Sequence, residues 1–168
     1  MHDRHHFAVG VQWTGNRGAG TATYRSYGRD HRIHADGKRH EIEGSSDRVF
    51  RGDADRWNPE EMVIAALSQC HMLSYLHVAA TNGVVVVDYR DDATGTLRLG
   101  PGDGGRLVEA TLRPVVTLAA HHDEADARRA EALHHRASEL CFIANSVNFE
   151  VRHEPTTLIE TPLGEHRA

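Results

Sequence analysis

At 168 residues, with 39% hydrophobic and 26% charged residues, the chain has the size and make-up of one ordinary globular domain. Its net charge of -5 argues against nucleic acid as the main partner, because phosphate binding needs a concentrated basic surface. No run reaches the roughly eighteen apolar residues of a membrane span and the opening "MHDRHHFAVGVQW" lacks the features of a signal peptide, so a cytoplasmic location without a membrane partner is expected.

Phe7, Val9, Val11 and Trp13 alternate with other residues, the period of a half-buried strand. "TGNRGAG" supplies turn residues, and "TATYRSYGR", rich in β-branched and aromatic residues, predicts the second strand of a hairpin. Asp36-Gly37 is a turn signal between two short strand-like pieces. "EGSSDRVFRGDADRW" is polar and predicts a loop, although Val49, Phe50 and Trp57 hint that it packs against something.

The next segment, "RWNPEEMVIAALSQCHMLSYLH", predicts a long helix. Asn58 can cap it, Pro59 suits its first position, Glu60 and Glu61 favour the positive end of its dipole, and Asn82-Gly83 stops it near Thr81. "VVVVDYRDDATGTLRL" and "RLVEATLRPVVTLAA" follow as two strands joined by "GPGDGG". A second helical region covers "DEADARRAEALHHRASELCFIANSV", and "FEVRHEPTTLIETP" closes the chain as a strand. The order predicts an α+β fold with antiparallel sheet.

Each helix carries one of the chain's two cysteines. Val63, Ala66, Leu67, Cys70, Leu73 and His77 fall on one stripe of the first helix; Leu133, Ala137, Leu140 and Cys141 make the stripe of the second. A lone inward cysteine is usually a small buried hydrophobe. Two, on separate helices, can meet, and a pair of thiols can divide an oxidation into attack and resolution. The nucleophile is the thiolate, which a guanidinium stabilises and a carboxylate can hold in place. Arg17, Arg25, Arg51, Arg56 and Glu60 are candidates by charge type.

These residues resemble a known family. "RWNPEEMVIAALSQC" is similar to the helix start and peroxidatic cysteine of the OsmC/Ohr proteins, osmotically inducible protein C and the organic hydroperoxide resistance proteins. "ELCFIANSVNFEV" resembles the segment around their second cysteine, with Phe142 where the family often has Pro, and "WTGNRGAGT" resembles the opening strand and turn of the OsmC branch. The resemblance implies a single OsmC-like domain over 1-168, antiparallel sheets wrapped around long central helices, and an intertwined homodimer with active sites at the subunit interface. It implies a thiol peroxidase that uses no metal, haem or other cofactor. Its substrates would be organic hydroperoxides, hydrogen peroxide being a second candidate, and its reductant an external dithiol. Residue by residue, Cys70 matches the peroxidatic thiol, Cys141 the resolving thiol, Glu60 the acid that orients the catalytic arginine, and Arg17 that arginine, with Arg25 as competitor. A non-catalytic, stress-associated binding protein of the same fold is the alternative.

Helix arithmetic adds a constraint. Ten residues rise about 15 Å and leave Glu60 and Cys70 roughly 80° apart around the axis, so Glu60 is expected to serve a thiol of the other subunit or to act through a long Arg. Met62, Met72, Leu73 and Phe142 would suit an apolar peroxide tail, against core packing as the plainer role. "CHMLSYLH" and "HHRASELC" raise a metal site, but their spacing lacks the pairing of zinc motifs, and His71 should point about 100° away from Cys70. The 14 histidines read as scattered surface residues.

Overall fold

In the computed structural model, residues 4–102 and 104–161 are described. They resolve into two compact units, Met1–Met62 and Val63–Ala168.

The first unit holds an antiparallel three-stranded sheet of β1 (Gly10–Trp13), β2 (His31–His34) and β3 (Ile42–Gly44). The turn signal holds: Gly37, at φ 77, lies between β2 and β3. "TATYRSYGR" is not a strand, however, and β1 pairs with β2 across a long loop. The reason is local satisfaction of the backbone. Asn16 Oδ1 accepts from the amides of Gly18 and Gly20, and Ser26 Oγ donates to the Gly20 carbonyl. The Arg29 guanidinium sits 4.3 and 4.1 Å from the Tyr24 and Tyr27 ring centres while donating to both their carbonyls. The alternating residues of β1 and its approach are also less covered than expected, with Phe7 93%, Val9 73% and Val11 65% exposed.

Helix α1 (Pro59–Thr81) begins and ends where the sequence predicts. Asn58 Oδ1 accepts from the Glu61 amide at 2.8 Å and the Glu61 carboxylate accepts from the Asn58 amide at 3.1 Å, a reciprocal capping box. Gly83, at φ 71, takes the left-handed stop. At 23 residues and mean hydropathy 1.3, α1 is long and apolar enough to cross a membrane by length and composition. That corrects the count of apolar runs, which Ser68, Gln69, His71 and Ser74 interrupt without lowering the average far. Its buried residues, Leu67, His71, Tyr75, Val78 and Ala79, pack within the second unit.

In that unit the two long strands each divide: β4 (Val86–Asp91) and β5 (Thr94–Leu99), then β6 (Gly105–Leu112) and β7 (Pro114–Leu118). Asp91 accounts for the break. Its carboxylate accepts from Arg113 N at 2.6 Å and from Ser68 Oγ at 2.5 Å, pinning both bends together. Beyond α2 (Glu124–Leu140), the closing strand divides likewise into β8 (Glu150–His153) and β9 (Thr156–Ile159). Two sheets result, ordered β4-β7-β9 and β5-β6-β8. Both are mixed rather than antiparallel, because β8 and β9 run parallel to β6 and β7 after the α2 crossover.

Two apolar clusters fill the unit. Tyr75, Ala79, Val84, Val116, Leu118, Ala130 and Ala137 form one; Leu67, Ala110 and Leu112 anchor the other.

Candidate active site

The buried face of α1 is rotated from the expected stripe. Leu73 is 61% exposed and His77 is exposed, while His71 and Tyr75 are sealed at 0%. Both find polar partners inside: Tyr75 Oη donates to the Ala130 carbonyl, and His71 Nε2 lies 2.9 Å from His134 Nδ1, leaving only His71 Nδ1 without a partner. The line Ala130, His134, Ala137 and Cys141 forms the matching face of α2, so Leu133 and Leu140 are only half-buried.

This packing brings the two sulfurs together. Cys70, half-buried on α1, and Cys141, 1% exposed at the end of α2, are both free thiols, close enough that Cys70 acts on the Cys141 thiol. The Cys141 thiol is pushed up to about 11, first by burial and then by the bond to Cys70. The chain turns sharply here. Cys141 leaves the helix in an extended conformation, and the Ala144 amide folds back to 3.4 Å from its Sγ. The pair is therefore asymmetric, with a more exposed sulfur on Cys70 and a buried one on Cys141.

Cys70 and His71 diverge as helix geometry requires, and His71 joins a histidine trio that sequence reading missed. Its ring centre lies 5.2 Å from that of His134 and 4.3 Å from that of His153, and Tyr75 stacks on His134 at 3.9 Å. Burial, then neighbouring imidazoles, lowers His71 to about 3 and His134 to about 4; His153 is lowered by burial. At neutral pH all three rings are uncharged. His71 and His134 are core residues rather than surface ones and His153 is half-buried; the signal for the first two was helical spacing to the thiol-bearing faces.

Arg17 and Glu60 belong to the first unit. Arg17 is exposed in the β1–β2 loop, its guanidinium beside Gly28, and Arg25 is exposed in the same loop. Arg56 is engaged by Asp30, Glu43 and Asp53 at 3.5–3.9 Å. The capping box separates the two glutamates of the α1 start: Glu61 closes the helix end, whereas the Glu60 side chain has no hydrogen bond or ion pair with another described residue. Of the apolar candidates, Leu73 at 61% and Phe142 at 80% exposure are not core packing.

A family model described as OsmC-like protein matches residues 52–156. An OsmC-like protein of unknown function from Vibrio cholerae is 31% identical, with a TM-score of 0.80 over 90% of this chain and 99% of that one. Two organic hydroperoxide resistance proteins share the fold at lower identity. That of Legionella pneumophila is 18% identical (TM-score 0.65, covering 92% and 99%), and that of Elizabethkingia anophelis is 16% identical (TM-score 0.63, covering 94% and 100%). No curated protein matches the sequence. With its thiol pair, its α+β topology and this span of similarity, the chain belongs to the family of OsmC-like proteins.

Proposed function

We propose that the protein is a thiol-dependent peroxidase that reduces organic hydroperoxides through Cys70 and Cys141. The observation that carries this reading is the contact between the two thiols. In the proposed cycle the Cys70 thiolate attacks the outer peroxide oxygen. The O–O bond breaks, the alkoxide leaves and takes up a proton as alcohol, and the sulfur is oxidised to sulfenic acid. Cys141 then attacks that sulfur: the S–S bond forms, the S–O bond breaks, and the hydroxide leaves as water with the Cys141 proton. The raised pKa of Cys141 keeps its proton available for this step. An external dithiol returns two electrons and two protons.

Arg17, oriented by Glu60, is assigned to stabilise the thiolate and the departing alkoxide. The absence of another described partner for Glu60 supports its availability. A homodimer lets Glu60 serve the thiol of a second copy, since helix rise carries it about 15 Å from Cys70 of its own chain. The exposed apolar residues Val9, Val11 and Leu73 support such a copy.

The test is thiol titration of reduced protein exposed to cumene hydroperoxide. Two thiols lost per chain and restored by a dithiol support the peroxidase; an unchanged thiol count supports a non-catalytic binding protein. Cys70→Ser should consume nothing, and Cys141→Ser should stop at sulfenic acid.

A further inference from the structure

Two buried hydrogen bonds join the helices that carry the thiols. His71 Nε2 lies 2.9 Å from His134 Nδ1, and Tyr75 Oη donates to the Ala130 carbonyl at 3.2 Å. The step from His71 to Tyr75 on α1 matches the step from His134 back to Ala130 on α2, so the bonds sit about one helical turn apart. The rings are wedged as well as bonded. Tyr75 stacks on His134 at an interplanar angle of 14°, and His153 from β8 rests against His71 with ring centres 4.3 Å apart. His71 and Tyr75 are fully buried, and His134 is 3% exposed.

The cluster is tied in sequence to both sulfurs. His71 directly follows Cys70, and His134 stands about two turns before Cys141 on the same face of α2. Apolar packing does little to set how far one of these helices slides along the other. It is non-directional, and the α2 face offers the small side chains of Ala130 and Ala137. A buried polar pair does set it, because a slip strands both partners away from water, at a greater cost than the bond returns. A slip of α1 along α2 breaks both bonds at once.

We infer that His71 and His134 are positioning residues for the thiol pair: their bond fixes the register of α1 against α2 and so holds Cys70 against Cys141. Neutral rings suffice, since one nitrogen donates and the other accepts. The bearing on catalysis rests on the proposed two-thiol cycle, in which disulfide closure needs the sulfurs to meet. Loss of the bond lowers the effective concentration of one thiol at the other by about tenfold, the scale of one internal hydrogen bond.

The test is equilibrium with glutathione buffers, which needs no peroxide. Glutathione disulfide is reduced to two glutathione thiols as the Cys70–Cys141 bond forms, and the oxidised fraction is read by mass spectrometry after alkylation. His71→Leu should lower the equilibrium constant about tenfold, or about 30 mV. His71→Gln places an amide where Nε2 stood and should stay within about twofold of the parent. His134→Leu and His134→Asn repeat the comparison from α2, each variant assayed where circular dichroism shows it folded. Leu118→Ala, a fully buried change outside the imidazole cluster, should lower stability without moving the constant. Leucine variants that match the parent, amide variants that fall as far as the leucine ones, or a Leu118→Ala constant that falls as far would overturn the inference. A parent that closes the disulfide in glutathione but not with cumene hydroperoxide would strike the peroxidase reading and leave the register claim standing. A parent that closes it in neither would overturn both.

Discussion

Acid should weaken this fold through the histidine trio, by an amount the structure sets. His71 and His134 are neutral in the folded protein down to about pH 3 and 4, against an ordinary value of 6.5 in the unfolded chain. Their folded values are depressed, so below 6.5 the unfolded state binds more protons and stability falls with pH. At pH 5 each ring favours unfolding by about 2 kcal/mol relative to pH 8, or about 4 kcal/mol together. That is a large share of the roughly 5–15 kcal/mol that holds a domain. The loss continues until the folded values are reached. Urea unfolding of reduced protein, followed by circular dichroism from pH 8 to pH 5, would measure it. In His134→Phe about 2 kcal/mol of the pH-dependent loss should disappear, because one depressed ring is gone while His71 and His153 keep theirs. A midpoint that does not move between pH 8 and 5, or a variant as pH-sensitive as the parent, would refute the reasoning.

Other expectations are simpler. Asn58→Ala removes the side chain that caps α1 and should cost about 1 kcal/mol in urea unfolding, with Asn58→Asp retaining most of the stability. Leu67→Ala empties a fully buried position between α1 and β6 and should cost about 3 kcal/mol in the same assay. Asp91→Ala deprives Ser68 Oγ and Arg113 N of their acceptor and should cost about 2 kcal/mol, with faster amide exchange at Arg113 as the local signature.

Much of this architecture can be read from the chain because its punctuation is local. Asn58-Pro59 and Asn82-Gly83 bracket α1 by chemistry that acts within a few residues, and the Gly37 turn works the same way. The division of the long strands depends instead on Asp91 reaching Ser68 and Arg113, residues more than twenty positions away. No period in the sequence encodes that. Nor does it encode the parallel pairing of β8 and β9, which follows from the α2 crossover. Three- and four-residue spacing from Cys70 carried the predicted stripe to Leu73 and His77, one position round the helix from the buried His71 and Tyr75. Their burial becomes sensible only once His134 and the Ala130 carbonyl stand opposite. The cysteines were legible for the reverse reason. Two inward positions on two helices limit where the sulfurs can go, and the second unit brings them into contact. Arg17 and Glu60 were candidates by charge type and were given their roles through family resemblance, and their part in the chemistry belongs to the proposed reaction.

Peptide mapping after one equivalent of cumene hydroperoxide tests the central claim most directly. The account predicts a cross-linked pair of peptides carrying Cys70 and Cys141 of the same chain, lacking two hydrogens and released by a dithiol. Recovery of both thiols unmodified, or Cys70 driven to sulfinic acid while Cys141 stays reduced, would contradict it.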